Sequence, residues 1–172
     1  MIYKYLGHIA DTIYPEKPIV NARYCTRGIV MNAKGEIALI HIVGKDDFGD
    51  RDHYELPGGG IEDHEGSKEC FIREIQEELG LHIDEPVPLG VMTYDFNLIQ
   101  LHNIAIYFFA HVICEAPKHL TDQEKTLFNE IKWLPLDEAI SFLETVPVKN
   151  VGILLHKRAL IALKECSKLF TK

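Results

Sequence analysis

The 172-residue chain is short of cysteine, of basic charge and of long apolar runs, and each shortage excludes something. Its four cysteines, Cys25, Cys70, Cys114 and Cys166, lie far apart with no Cys-x-x-Cys pair. That spacing excludes a disulfide scaffold and a thiolate zinc site, and it predicts reduced, buried thiols acting as small hydrophobes. The longest apolar stretch, residues 104–114, is interrupted by His111 and falls short of the ~18 residues that cross a bilayer. The N-terminal residues include Lys4 and Asp11 and lack the apolar core of a signal peptide. Together these absences predict a cytoplasmic protein. Eighteen basic residues stand against 26 acidic ones, a net charge of −8. Nucleic acid and anionic membrane are therefore not expected as partners, since both require a basic face. Twelve glycines and eight prolines are too few for a low-complexity chain, and no internal repeat is visible.

What is present describes one ordinary domain. A hydrophobic share of 47% and a charged share of 26% match average globular usage, and the length fits about one domain of ~150 residues. Strands are predicted at 24–31 and 36–43 around an Asn-Ala-Lys-Gly turn, and at 53–56 after a polar loop. Pro57-Gly58-Gly59-Gly60 must be irregular backbone. From 67 to 79 the apolar residues Phe71, Ile75 and Leu79 recur every four positions, Ile72 widens the stripe, and Gly80 is a stop signal. That is an amphipathic helix. Strands follow at 88–95 and 103–113, the second apolar nearly throughout and so central, then a polar stretch at 121–129 and a short strand at 130–134. Helices at 136–144 and 150–169 close the chain. Residues 2–20, with Pro15 and Pro18, show no clear element. Strands mixed with helices that cover them predict a layered α/β fold.

Glu74, Glu77 and Glu78 fall within an arc of roughly 100° on the predicted helix, apart from its apolar stripe. Like charges that close repel; a hard divalent cation such as Mg²⁺, which takes oxygen ligands and shares them with substrate phosphates, makes the cluster favourable. Seen alone, three helical glutamates are an ordinary solvated face, and a glycine run is an ordinary turn. The full spacing is neither. Gly59, five residues, Glu65, seven residues, Arg73-Glu74-Ile75-Gln76-Glu77-Glu78-Leu79-Gly80-Leu81 arises by chance in fewer than about one chain of this length in ten million.

This segment resembles the Nudix box of the Nudix hydrolases without a departure. Tyr54-Glu55-Leu56-Pro57-Gly58 before it is similar to the strand that leads into the family's box, and 131–139 (Ile-Lys-Trp-Leu-Pro-Leu-Asp-Glu-Ala) to its last strand and following helix. The resemblance covers roughly residues 24–145, leaving 1–23 as an N-terminal extension of a single domain and 150–169 as a C-terminal helix. It implies an α/β/α sandwich around a mixed β-sheet. It also implies Mg²⁺-dependent hydrolysis, with Mn²⁺ as a substitute, of a pyrophosphate bond in a small-molecule nucleoside diphosphate linked to some group X. The simplest substrate is a nucleoside triphosphate or modified nucleotide, cleaved to a nucleoside monophosphate. An ADP-ribose or nucleotide-sugar pyrophosphatase and a non-catalytic nucleotide sensor are the alternatives. A homodimer is the family-level expectation, with Val151, Leu154, Leu155 and Leu163 of the final helix either at the contact or in the core.

The resemblance makes Glu77 and Glu78 the principal metal ligands and Glu74 a further ligand or the base that activates water. Gly58 and Gly59 are expected to bring a backbone carbonyl to the metal, a job a side chain would obstruct. Arg73 is expected to orient a carboxylate, Glu77 at i+4 or the more distant Glu65. Glu124 and Glu130 are candidates for one additional acid, each weighed against a solvated-surface reading. Arg27, with Arg23, is a candidate phosphate contact. Asn150 distantly resembles a base-reading residue, although the N-cap of the last helix is the stronger reading. His53 and His64 flank the glycine loop and read as exposed polar residues. No His or Cys pair has zinc-ligand spacing, and no P-loop motif occurs.

Overall fold

β7 (Leu101–Glu115) organises the molecule because its residues are apolar on both faces, as a strand covered on both sides must be. The computed structural model describes residues 3–171, the side chains of Gln123 and Glu124 excepted. The other strands are β1 (Tyr5–Ile9), β2 (Asn21–Met31), β3 (Glu36–Asp46), β4 (Gly49–Glu55), β5 (Leu81–Ile83), β6 (Val87–Phe96) and β8 (Phe128–Pro135). They form a mixed sheet in the order β1-β6-β7-β2-β3-β4, with β8 on β3 and β5 on β7. β2 runs parallel to β7 over its whole length, from Asn21↔Leu101 to Met31↔His111.

Alternation along the strands divides the core into two layers. Val30, Ile40, Phe108 and Ala110 face Phe71, Ile75 and Leu79 of α1 (Ser67–Leu79). Ile29, Leu39, Tyr107 and Phe109 point the other way, toward α3 (Leu136–Thr145) and α4 (Gly152–Ser167). The result is the α/β/α sandwich expected. Val151, Leu154, Leu155 and Leu163 are all buried in the second layer, so they serve as core. No described helix is long and apolar enough to cross a membrane.

Several expectations need correction. The N-terminal segment contains β1, which pairs in parallel with β6 (His8↔Thr93, Ile9↔Tyr94). Beyond it, the Asp11 carboxylate accepts hydrogen bonds from the backbone N–H groups of Ile13, Tyr14 and Asn97 at 2.9, 3.1 and 2.8 Å, tying the extension to the sheet. The stretch at 121–129 holds a short helix, α2 (Asp122–Leu127). Cys25, Cys70 and Cys166 are buried as expected, but Cys114 is exposed because it lies near the end of β7, past the helical cover. Asn150 does not cap α4: its φ is +54°, the helix starts two residues later, and its side-chain amide donates to the Asp50 carbonyl at 3.1 Å. His53 is 2% exposed, because its position on β4 turns it under α4, where it packs near Gly152.

Candidate active site

The glycine loop is held against β2 by backbone contacts that leave little room for side chains. Pro57 to Ile61 lies along β2: Gly28 N–H donates to the Pro57 carbonyl at 3.1 Å, Thr26 N–H to Gly59 at 2.9 Å, and Ile61 N–H to Tyr24 at 3.1 Å. At Gly58 φ is +130° and a Cβ would strike the Thr26 carbonyl; at Gly59 a Cβ would run into the Glu74 carboxylate. Gly58 therefore requires glycine, whereas a side chain at 59 would displace the Glu74 carboxylate. α1 ends at Gly80, whose left-handed φ of 68° lets its N–H donate back to the Gln76 carbonyl.

This packing brings Glu74 and Glu78 to the loop. Gly58 N–H donates to Glu78 Oε2 at 2.7 Å, and Glu74 is buried at 8% exposure. Arg73 fixes the surrounding carboxylates. Its Nε and Nη2 bind both oxygens of Glu65 at 3.1 and 2.7 Å, and its Nη1 reaches Glu74 Oε1 and Glu77 Oε2 at 2.9 Å each. Nη2 also donates to the Gly60 carbonyl at 3.2 Å. Arg73 thus serves both partners expected of it and Glu74 as well. Those hydrogen bonds hold the Glu65 carboxyl down at about 2.

Glu78 moves the opposite way. Burial pushes its carboxyl up to about 8, against the opposing pull of the Arg27 charge and the Gly58 N–H. Burial also raises Glu74, against Arg73. Both shifts come from burial, which strips the carboxylates of water that a bound cation would replace.

Glu74, Glu78, Gly58, Gly59, Arg23 and Arg27 line one cavity of about 310 Å³. At its floor Arg158 of α4 donates from Nη2 to Glu55 Oε2 at 2.7 Å and from Nη1 to the Tyr94 hydroxyl at 2.8 Å. Burial alone would raise the Glu55 carboxyl; Arg27 and Arg158 outweigh it and bring it to about 2. Arg27 stays a cation, because burial is outweighed by Glu55, Tyr94 and Glu78, and its Nε is buried without a hydrogen-bond partner.

The remaining predicted residues lie elsewhere. Glu77 faces outward beside Arg73, 37% exposed. Glu130 sits on β8, 54% exposed, 3.7 Å from His41 Nδ1. The Glu124 side chain lies outside the described residues. Asn150 is committed to Asp50, away from the residues that line the cavity. His64 is exposed as expected. Glu55, Asp46, Arg51 and Arg158 were missed. The alternation of β4 was the available signal: Glu55 stands two residues before Pro57, and Arg51 shares its face.

The donor set suits a hard cation. Among the described residues no three acidic, imidazole or thiol side chains converge to enclose a metal. Two carboxylates, Glu74 and Glu78, and the Gly58 carbonyl, to which no described residue donates, leave most positions to water and substrate phosphate. Mg²⁺ favours that arrangement. The Gly59 carbonyl is already engaged with Thr26.

A glycine loop and a glutamate helix meeting at the edge of an α/β/α sandwich define a recognisable class. The NUDIX domain model matches residues 23–155, and the chain belongs to that family. It is 31% identical over 71 residues to an 8-oxo-dGTP diphosphatase of Proteus vulgaris, covering 41% of this chain and 59% of that protein, under two-thirds of its length. It is 26% identical over 133 residues to an RNA pyrophosphohydrolase of Hahella chejuensis (strain KCTC 2396), covering 66% of this chain and 78% of the other. The structure of a MutT NUDIX hydrolase from Burkholderia pseudomallei superposes with a TM-score of 0.62 at 22% identity, covering 84% of this chain and 97% of that one. That likeness establishes the shared fold.

Proposed function

We propose that the chain is a Mg²⁺-dependent pyrophosphohydrolase acting on a nucleoside diphosphate linked to X, simplest as a nucleoside triphosphate or modified nucleotide, and releasing a nucleoside monophosphate. The observation that carries this reading is the pairing of Glu74 and Glu78 against Gly58 and Gly59 in a cavity that also holds Arg23 and Arg27. The names of the two relatives, an 8-oxo-dGTP diphosphatase and an RNA pyrophosphohydrolase, support the reaction class.

Glu74, Glu78 and the Gly58 carbonyl would hold the cation, which supplies charge to a loose, anionic transition state. The chain's own residues do the rest. Gly58 N–H fixes one oxygen of Glu78 and Arg73 fixes one of Glu74, so neither carboxylate swings when substrate enters. Arg27, kept a cation in the cavity wall, supplies positive charge for a phosphate oxygen. Glu74, buried and fixed by Arg73, serves either as a ligand or as the base that activates water. Glu77, drawn aside by Arg73, supports this set from outside the cavity.

The test is a panel of nucleoside di- and triphosphates, nucleotide-sugars and dinucleotides with Mg²⁺, scored for the nucleotide, phosphate and pyrophosphate released. Nucleoside monophosphate formation that depends on Mg²⁺ is expected. Absence of cleavage across the panel refutes the enzyme reading and favours a nucleotide-binding module.

A further inference from the structure

The outer end of the cavity has a chemistry of its own. Glu55, His53 and Arg51 share one face of β4, and Ile42 and Asp46 of β3 share it with them through the pairs Ile42↔His53 and Asp46↔Gly49. Arg51 stands four residues from Glu55, about 13 Å along the strand at ~3.3 Å per residue.

Arg51 is held on three sides. Its Nε and Nη2 both point at Asp46 Oδ2, at 2.9 and 2.7 Å. The other Asp46 oxygen accepts from Phe48 N–H at 2.9 Å. The guanidinium carbon lies 4.9 Å from the centroid of the Phe48 ring. Phe48 is fixed in turn by the Tyr14 hydroxyl, which donates to its carbonyl at 2.7 Å. Tyr14 precedes the residues matched by the family model, so this chain's own N-terminal segment locks the hairpin that carries Arg51.

A donor count gives the site its sense. Arg51 has five N–H groups, of which two are spent on Asp46. Its Nη1 meets no acceptor among the described residues. Asp46 accepts two hydrogen bonds, from Phe48 N–H and Arg51 Nε, with Arg51 Nη2 in ion-pair contact at 2.7 Å. The pair is thus neutral in charge and rich in unspent donors. Beside it, Ile42, Leu127 and Phe128 form an apolar wall. A charged terminal group finds no net cation here, whereas a flat heterocycle finds a surface and a row of donors.

We infer that this outer end binds the nucleobase, and that Arg51 selects bases presenting a carbonyl oxygen (6-oxopurines and 4-oxopyrimidines) over those presenting an amino group. The inference rests on the nucleotide reading above but not on turnover. An amino group opposite Arg51 places donor against donor and leaves both unpaired, which a buried site tolerates poorly.

Calorimetric titration of the full-length protein with four nucleoside 5′-monophosphates tests it: inosine against adenosine, and uridine against cytidine. In each pair the oxo ligand is expected to bind about tenfold tighter or more, the worth of one hydrogen bond to a charged donor. Arg51→Met, which keeps the apolar stem, closes the gap. Arg51→Lys, which keeps the charge but loses the planar fork, narrows it and carries the test if the Met variant does not fold. Equal affinities, an amino preference, no binding of any of the four, or a gap unchanged in the folded variants overturns the inference. A preference that tracks the number of phosphates added instead assigns Arg51 to a phosphate and also overturns it. Because monophosphates are not cleaved, a protein inert toward every diphosphate but selective among these ligands refutes the enzyme reading alone.

Discussion

Gly59 does two jobs that no other residue can share. Its carbonyl closes the loop onto β2, and its missing Cβ is the space the Glu74 carboxylate fills. Gly59→Ala therefore displaces Glu74 while leaving both core layers untouched. A misplacement of about an ångström in a catalytic group costs on the order of a hundredfold in rate. The expected result is that loss in kcat with a melting temperature close to wild type; a fully active Gly59→Ala would show that Glu74 has no catalytic part. The box itself was readable because its members are close in sequence and each answers to one local demand. The placing of Glu77 was not readable. Helical spacing placed it with Glu74 and Glu78, but Arg73 at i−4 draws its carboxylate outward, a competition that spacing alone does not decide.

α4 contributes more than cover. Arg158 is 5% exposed on its side chain and makes its ion pair with Glu55 beneath the cavity. A buried pair of this kind seldom adds stability over a well-packed apolar pair, yet losing one partner strands the other. Arg158→Met is expected to cost about 3 kcal/mol in urea unfolding. Adding Glu55→Gln should recover much of that loss while KM for nucleotide stays raised, because Arg27 has lost its neighbouring charge. A double variant no more stable than the single would argue against an unpaired Glu55 as the cause. None of this was visible in the sequence: α4 shows only an apolar period, and Arg158 reads as a surface cation until β4 is laid under it. α1 was predicted to its boundaries, because its stripe and Gly80 agree. β1, β5 and α2 were missed because three to six residues are too few to show a period, and β1 is defined by a partner some 85 residues away.

At the scale of the whole molecule, acid acts on stability through groups of both signs. Burial raises Glu78 to about 8, so its protonation favours the fold as pH falls from there toward 4.5. Protonation of buried His53 and His156 and of the ion-paired Glu55 and Glu65 disfavours it. Burial lowers the His53 imidazole from 6.5 to about 4, so the fold favours its neutral form. The stability this group contributes is complete above pH 6.5 and is lost as pH falls toward 4. Glu65 and Glu55 are held at about 2, below the ordinary 4.5, by Arg73 in one case and by Arg27 and Arg158 against burial in the other. Their contribution is complete above pH 4.5 and disappears as pH falls through 2. Chemical unfolding of wild type and His53→Gln across pH isolates the imidazole: the wild type should lose stability relative to the variant as pH falls from 6.5 to 4, and no further below. A difference that is constant over that range would contradict a neutral buried His53.

The net charge of −8 is concentrated where a cation would be drawn. Between Gly59 and Leu81 seven acids face two bases, a local −5, leaving −3 for the rest of the chain. An anionic substrate approaches such a site only once a cation has reversed its sign, so metal dependence and catalysis should fail together. The most direct measurement is the rate of nucleoside monophosphate release from a nucleoside triphosphate cleaved by the wild type, compared between wild type and Glu78→Gln across a Mg²⁺ titration. Glu78→Gln keeps the shape and the Gly58 contact but removes the charge. The expected result is a rate at least about a hundredfold lower, roughly 2.7 kcal/mol of lost charge stabilisation, with saturation moved to higher Mg²⁺. A Glu78→Gln protein with the wild-type rate and the wild-type Mg²⁺ dependence would contradict the account.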